Sequence, residues 1–276
     1  MLKKDLTLAL AQLPYQNGRP DAALEQAEKT LNQARACGAD IVVFPELYYQ
    51  GCCNSSRTFH QLAETNSGSL TRWLSEKARS YGLYLVMGFC QKKDTEPGKL
   101  FNTTLFYGKD GTLIGDYVKV YGWGKENLIF TPGTSFPVYD TPFGKIGFLT
   151  CYDIEFAEPF RILAFRGADL IIVTSAWSKH LQIRWRAGLS AGAIQNLLPI
   201  AACNAVGPNP AGLPLAGDSR VISPFGHILA SANDTGKEEL LICRLDAASL
   251  NQEREDYPLW RDFHPDMFDR SLLERY

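Results

Sequence analysis

Apolar residues recur along this chain with two spacings, and the alternation of the two predicts an α/β fold. Short runs of consecutive apolar residues, many of them β-branched, predict buried strands, whereas apolar residues three or four positions apart predict amphipathic helices. The predicted strands are Leu6–Leu13, Ile41–Phe44, Leu83–Phe89, Thr103–Tyr107, Thr112–Tyr117, Lys145–Thr150, Leu170–Thr174, Ile200–Cys203, Ser219–Ile222 and Leu240–Leu245. The predicted helices are Asp21–Cys37, Ser69–Tyr81, Asp153–Arg166 and Leu181–Leu198.

The order of these elements is the same in the two halves of the chain, β-α-β-α-β-β-β. We therefore predict an internal pseudo-twofold, in which each half forms a mixed sheet with helices on its outer face. Stacking the two sheets face to face makes a four-layer α-β-β-α sandwich. With 276 residues, 45% of them hydrophobic, the chain is long enough for one such domain over residues 1–276. Residues 250–276 include an aromatic stretch outside the sheet pattern, and we expect this extension to pack on the body or on a partner subunit.

Charge and cysteine content narrow the possible classes of function. The formal net charge is −2 and the pI is about 6.1, so we expect neither nucleic acid nor a membrane surface as a partner. Seven scattered cysteines, an odd number, fit a reducing compartment better than a disulfide framework. The four histidines show no metal-ligand spacing. We therefore expect a cytoplasmic protein without a metal or a cofactor. The apolar run after Lys4 is too short for a signal peptide and is better explained as the first strand.

Cys151 stands where a predicted strand ends and a helix is expected to begin. Unpaired amide N–H groups at the start of a helix, together with the helix dipole, would favour the thiolate form of such a cysteine. The alternative is a cysteine without a chemical role, because free cysteine often packs as a small hydrophobic residue. Two other strand ends favour the catalytic interpretation.

Glu46 and Lys119 follow two further predicted strands. Glu46 comes directly after Pro45, which ends an apolar strand, so its carboxylate is expected at the edge of the sheet where α/β folds bind ligands. Lys119 and Glu126 lie in one loop rich in aromatic residues and glycine, and burial of the aromatic residues would carry both charges inward. Solvated surface charges are the alternative explanation for each of these residues.

Three motifs follow one another along the chain: Phe44-Pro45-Glu46, then Tyr117-Val118-Lys119 leading to Phe130-Thr131-Pro132-Gly133, then Cys151-Tyr152-Asp153. In this order and spacing they resemble the nitrilase superfamily of carbon–nitrogen hydrolases, and in particular its amidase-like branch. The resemblance covers nearly the whole chain and implies the same four-layer fold. It also implies a homodimer or a larger homo-oligomer.

The resemblance implies a role for each of four residues. Cys151 would attack the carbonyl carbon and form a thioester, with Glu46 as general base. Lys119 and the backbone N–H of Tyr152 would hold the oxyanion. Glu126 matches the superfamily's second glutamate and would position Lys119 or the substrate amide. Aromatic residues beside these positions are the candidates for substrate binding, namely Tyr48, Tyr49, Tyr152 and Trp177.

The residues after the cysteine bear on the substrate. Cys151-Tyr152-Asp153 resembles the amidase branches, so the expected reaction converts a small linear amide into a carboxylic acid and ammonia. Hydrolysis of an N-carbamoyl amine or amino acid is an alternative, and hydrolysis of a nitrile is a weaker one. A non-catalytic oligomeric scaffold on the same fold is the alternative that involves no enzyme activity.

Overall fold

The computed structural model describes residues 1–52, 54–210 and 212–264. Twelve strands are found within these ranges: β1 Leu6–Gln12, β2 Ile41–Val43, β3 Tyr84–Lys92, β4 Leu100–Tyr107, β5 Leu113–Val118, β6 Val138–Thr141, β7 Gly144–Thr150, β8 Leu170–Ser175, β9 Ile200–Asn204, β10 Arg220–Ile222, β11 Ile228–Ser231 and β12 Glu239–Leu245. The helices are α1 Pro20–Ala36, α2 Ser56–Leu62, α3 Ser69–Tyr81, α4 Ala157–Phe165, α5 Gln182–Asn196, α6 Ala247–Asp256 and α7 Leu259–Asp262. Short 3-10 helices span Gly124–Leu128, Cys151–Glu155 and Lys179–Leu181.

The strands form two mixed sheets with the same internal pattern. The first sheet has the order β12-β1-β2-β3-β4-β5 and the second has the order β11-β10-β9-β8-β7-β6. In each sheet three neighbouring strands are parallel, β1-β2-β3 and β7-β8-β9. The strands directly beside them are antiparallel to them, β12 and β4 in the first sheet and β6 and β10 in the second. The edge strands β5 and β11 pair antiparallel with β4 and β10. This repetition confirms the predicted α/β sandwich of two stacked mixed sheets.

The main core lies between the two sheets. Leu8 and Leu10 of β1 belong to the same buried cluster as Phe148 of β7, so the inner faces of both sheets pack on each other. Ala9 and Ala11 point to the opposite face of β1 and belong to the cluster that includes the buried side of α1. Because side chains alternate across a strand, one strand can serve both layers.

The position of the last strand differs from the prediction. The segment Leu240–Leu245 was expected in the second half-sheet, but β12 pairs antiparallel with β1 at the edge of the first sheet. β6, which the sequence pattern missed, occupies the equivalent edge of the second sheet beside β7. The pattern also missed α2, β11 and α6. An edge strand with one apolar face can pair with either sheet, so local periodicity cannot decide which sheet it joins.

The extension predicted at residues 250–276 is described as far as residue 264. Leu250 is buried in the main core, and Arg254 forms a salt bridge of 3.3 Å with Asp169. The ring of Trp260 packs on Phe165 at the end of α4, with a centroid distance of 5.7 Å. Residues 265–276 lie outside the described residues. None of the helices in the described ranges is long and apolar enough to cross a lipid bilayer.

Candidate active site

The three predicted strand ends meet at one edge of the sandwich. Glu46 follows β2, Lys119 follows β5 of the same sheet, and Cys151 follows β7 of the opposite sheet. Glu46 accepts a hydrogen bond of 3.2 Å from the backbone N–H of Ala176, which follows β8 in the second sheet. This contact joins the two sheets at the site.

Lys119 forms two ion pairs, a buried one with Glu46 and a half-buried one with Glu126. Its Nζ lies 2.7 Å from Oε1 of Glu46 and 2.7 Å from Oε2 of Glu126. Burial by itself would lower the pKa of Lys119, but the charges of Glu126 and Glu46 outweigh it and raise the pKa well above its ordinary value. Burial raises the pKa of Glu126, and Lys119 opposes that rise. Lys119 is therefore a permanent cation whose ammonium group is fixed by two carboxylates.

Asn102 is a residue of this site that the sequence analysis missed. Its Nδ2 donates a hydrogen bond of 2.7 Å to the same Glu46 oxygen that Lys119 contacts, and its backbone oxygen accepts from the Lys119 N–H at 2.9 Å. Asn102 is buried in β4. The sequence offers only a weak signal for it, because β4 also contains Thr103 and Thr104, although any buried amide needs hydrogen-bond partners.

A tight turn presents Cys151. The cysteine has a φ of 49°, in the left-handed region, and is the first residue of the 3-10 helix that follows β7. The buried carboxylate of Asp153 holds this turn, because it accepts hydrogen bonds from Thr150 N–H at 2.8 Å and from the Tyr117 hydroxyl at 2.6 Å. Burial raises the pKa of Asp153 to about 6, although these hydrogen bonds oppose the rise. The turn therefore fixes the direction in which the thiol projects.

The expectation that helix geometry makes Cys151 a thiolate is wrong. Burial raises the pKa of the thiol well above its ordinary value, the charge of Glu46 adds to the rise, and Lys119 opposes it. Cys151 is the first residue of a five-residue 3-10 helix, and the following α-helix begins only at Ala157. The hydroxyl of Ser175, at the end of β8, also lowers the thiol's pKa. A neutral thiol needs a base to become a nucleophile.

A cavity of about 320 Å³ opens over these residues. It is lined by Glu46, Cys52, Trp123, Glu126, Cys151, Tyr152, Glu155, Ala176, Trp177, Ser178, His180, Leu181, Asn209 and Leu213. Tyr152 and Trp177, two of the predicted substrate-binding residues, are therefore part of its wall. The sequence analysis missed Trp123, Glu155, His180 and the segment around Asn209, whose positions depend on how distant loops fold over the site.

Tyr48 and Tyr49 do not line this cavity. Both are buried in the cluster between the first sheet and its helices. The Tyr48 hydroxyl donates to Gln26 of α1 at 3.0 Å, and the Tyr49 hydroxyl donates to Glu64 at 2.7 Å. They follow Leu47, whose φ of 48° turns the chain sharply after Glu46, and the turn directs the tyrosines into the core. They are not retained as candidates for substrate binding.

The comparison with known proteins identifies the family. A family model described as carbon-nitrogen hydrolase matches residues 7–255. The chain belongs to this family. The human ω-amidase NIT2 is 32% identical over 275 residues, which cover 95% of this chain and 96% of the human protein. The probable nitrilase C965.09 of Schizosaccharomyces pombe is 32% identical over 84% of this chain and 85% of its own.

Solved structures agree with the family assignment. A carbon-nitrogen hydrolase from Helicobacter pylori G27 superposes with a TM-score of 0.89 at 28% identity, covering 98% of this chain and 99% of its own. The amidase of Nesterenkonia sp. AN1, in a form with acrylamide added to its active site cysteine, has a TM-score of 0.81 at 27% identity. The match covers 91% of this chain and 97% of the amidase chain. The resemblance to the nitrilase superfamily is thus confirmed. This carbon–nitrogen hydrolase is an enzyme for C–N bonds other than peptide bonds, with amidases among its relatives.

Proposed function

We propose that this carbon–nitrogen hydrolase converts a small linear amide into a carboxylic acid and ammonia through a thioester on Cys151. The observation that carries the proposal is the ammonium group of Lys119, held at 2.7 Å from both Glu46 and Glu126 beside a cavity that also exposes Cys151. A fixed cation next to a nucleophile and a carboxylate provides each of the groups that amide hydrolysis needs.

In the acylation step, Glu46 accepts the thiol proton while the sulfur of Cys151 attacks the carbonyl carbon. Negative charge develops on the carbonyl oxygen, and Lys119 with the backbone N–H of Tyr152 stabilises it. The C–N bond then breaks, and Glu46 returns the proton to the leaving nitrogen, which departs as ammonia. The raised pKa of the Cys151 thiol makes this base necessary, because the thiol is neutral before substrate binds.

In the deacylation step, Glu46 accepts a proton from a water molecule whose oxygen attacks the thioester carbonyl. The C–S bond breaks, the thiolate regains the proton, and the carboxylic acid leaves. Glu126 positions Lys119 in both steps, since its Oε2 also accepts the Trp123 N–H at 2.9 Å and is thereby anchored to the loop. Tyr152 and Trp177 form the walls that hold the acyl group.

The test is ammonia release from a panel of short aliphatic amides, ω-amides of dicarboxylic acids, N-carbamoyl amines and nitriles. Cys151→Ser should abolish release, whereas Cys37→Ser, which removes an exposed thiol at the end of α1, should leave it unchanged. Glu46→Gln should lower kcat by about 10²- to 10⁴-fold, the usual contribution of a positioned base. The exposed Glu25→Gln, on α1, is its control.

The panel also separates the alternatives. Release from N-carbamoyl amines or nitriles but not from amides would replace the proposed substrate class. Substantial turnover by Cys151→Ser would remove Cys151 as the nucleophile. A folded protein that releases no ammonia from any compound of the panel would favour the scaffold interpretation.

A further inference from the structure

A large part of the cavity wall is aromatic or aliphatic. Trp123, Tyr152, Trp177, Leu181 and Leu213 line it. The ring of Tyr152 packs edge-on against Trp123 with a centroid distance of 4.8 Å. The Trp177 indole N–H is already bonded to the Leu181 backbone oxygen at 2.8 Å, so this ring offers the cavity an apolar surface. Such walls favour an apolar acyl group.

The charged side chains that line the cavity are acidic. They are Glu46, Glu126 and Glu155, and within the described ranges no lysine or arginine belongs to the lining. The single positive charge of Lys119 neutralises only one of the two negative charges of Glu46 and Glu126, because both carboxylates contact the same ammonium group. The third carboxylate, Glu155, belongs to neither ion pair of Lys119 and has no part in the proposed proton transfers.

Glu155 stands at the far end of the 3-10 helix that begins with Cys151. The two residues are four positions apart, and a 3-10 helix rises about 2 Å per residue, so they are about 8 Å apart along the axis. The Oε1 of Glu155 accepts from Nε of Arg184 at 2.8 Å, and Oε2 accepts from Nη2 of the same guanidinium. The Arg184 side chain is 60% exposed and that of Glu155 only 11%, so the carboxylate belongs to the wall and the arginine to the solvent side.

We propose that Glu155 makes the cavity select against amides whose acyl group ends in a carboxylate, and that the preferred acyl group is uncharged and apolar. This proposal rests on the proposed amide hydrolysis at Cys151. A substrate carboxylate extending from the thioester position would meet Glu155 before Arg184, and like charges repel strongly where water is excluded. The charge of Arg184 is already bound by Glu155 and is weakened by solvent. An ω-amide of a dicarboxylic acid has such a terminal carboxylate, so this enzyme would differ in preference from relatives named ω-amidases.

The experiment compares glutaramate, which ends in a carboxylate, with its neutral methyl ester. We expect the ester to have a kcat/KM at least tenfold higher in the wild type. In Glu155→Gln the ratio of the ester's kcat/KM to that of glutaramate should fall several-fold. Glutamine keeps the size of the side chain but no longer neutralises Arg184, whose positive charge can then attract the carboxylate of glutaramate. Arg184→Gln should widen the ratio, since Glu155 then has no counter-ion. The exposed Glu25→Gln, on α1, should not alter the ratio.

Equal use of the two amides, or a preference for the carboxylate, would overturn the proposal, and so would an unchanged ratio in Glu155→Gln. A second measurement keeps the charge preference testable without turnover. Two chloroacetamide reagents, each with a two-carbon arm ending in a carboxylate or its methyl ester, are compared by the rate at which they alkylate Cys151, measured by peptide mass. Faster alkylation by the ester, with a smaller difference in Glu155→Gln, supports the selectivity. If amides are not hydrolysed while this difference persists, the proposed function fails and the charge preference stands.

Discussion

Replacing Lys119 with methionine tests whether the buried cation is what allows two carboxylates to share this site. The Lys119 Nζ lies 2.7 Å from an oxygen of Glu46 and 2.7 Å from an oxygen of Glu126, and its side chain is only 2% exposed. Methionine is similar in length but uncharged, so the variant leaves the buried Glu46 and the half-buried Glu126 without a counter-ion. Removing one partner of a buried ion pair costs about 3–5 kcal/mol, and we expect a loss of this size in the free energy of unfolding at pH 8.

The loss in the free energy of unfolding of Lys119→Met should be larger at high pH than at low pH. Burial already raises the pKa of Glu126 against the opposing effect of Lys119, and without Lys119 the pKa should rise further. A carboxyl group with a raised pKa binds its proton more tightly in the folded state than in the unfolded chain. The variant should therefore be most stable below the ordinary pKa of glutamate and lose stability as the pH rises through the raised pKa. Between the ordinary and the raised pKa, the free energy of unfolding should fall by about 1.4 kcal/mol per pH unit, because the folded state keeps a proton that the unfolded chain has released.

Urea unfolding followed by tryptophan fluorescence at pH 5, 6.5 and 8 measures both effects. The wild type provides the reference, because the raised pKa of Lys119 keeps it protonated over this range. Lys29→Met is the matched control, since Lys29 pairs with Glu25 at 3.0 Å on an exposed helix face and should change stability by about 0.5 kcal/mol or less. If Lys119→Met were as stable as the wild type at pH 8, or lost stability towards pH 5, the electrostatic explanation of the site would be refuted.

Two further substitutions test how the site is built. A Cβ at Gly88 would lie 2.5 Å from Leu47 N and 3.1 Å from Pro45 O, so Gly88→Ala should displace the turn that carries Glu46. We expect it to cost about 1–3 kcal/mol in urea unfolding and to lower kcat in the amide assay; a variant with normal kcat would show that Glu46 tolerates the shift. Ser175→Ala should raise the pKa of the Cys151 thiol, because the Ser175 hydroxyl lowers it. Iodoacetamide alkylation of Cys151 below that pKa should therefore slow, and an unchanged pH–rate profile would exclude this role.

Glu46 and Cys151 could be found from the sequence because each follows an apolar run, whereas Lys119 and Glu126 were found from the aromatic, glycine-rich loop that carries them. Pro45 marks the end of the strand before Glu46, and the apolar run up to Thr150 places Cys151 at a strand end. Asn102 and Glu155 were missed for different reasons. Asn102 is one of several polar residues in β4, and only its contact with Glu46 distinguishes it from the others. Glu155 resembles any helix-surface glutamate until the 3-10 helix places it in the cavity wall.

The ionisation of the site was the least predictable property. A strand-end cysteine before a helix is consistent with a thiolate, yet burial and the nearby Glu46 raise the pKa of Cys151. Desolvation depends on every atom that excludes water from the thiol, including atoms of residues far away in the chain. The placement of two tyrosines was also wrong, for a local reason. Tyr48 and Tyr49 are at a strand end, as predicted, but the positive φ of Leu47 directs them into the core.

The sequence by itself determined the α/β class, the repeated order of elements, and which residue types stand at the strand ends. These properties depend on local periodicity and on single breaks such as proline, which act within a few residues. Only the tertiary structure decided which sheet received β12, how Lys119 came to lie between Glu46 and Glu126, and which face of the 3-10 helix became the cavity wall. These outcomes depend on contacts between residues tens to hundreds of positions apart, whose energies arise only when packing excludes water and brings the charges together.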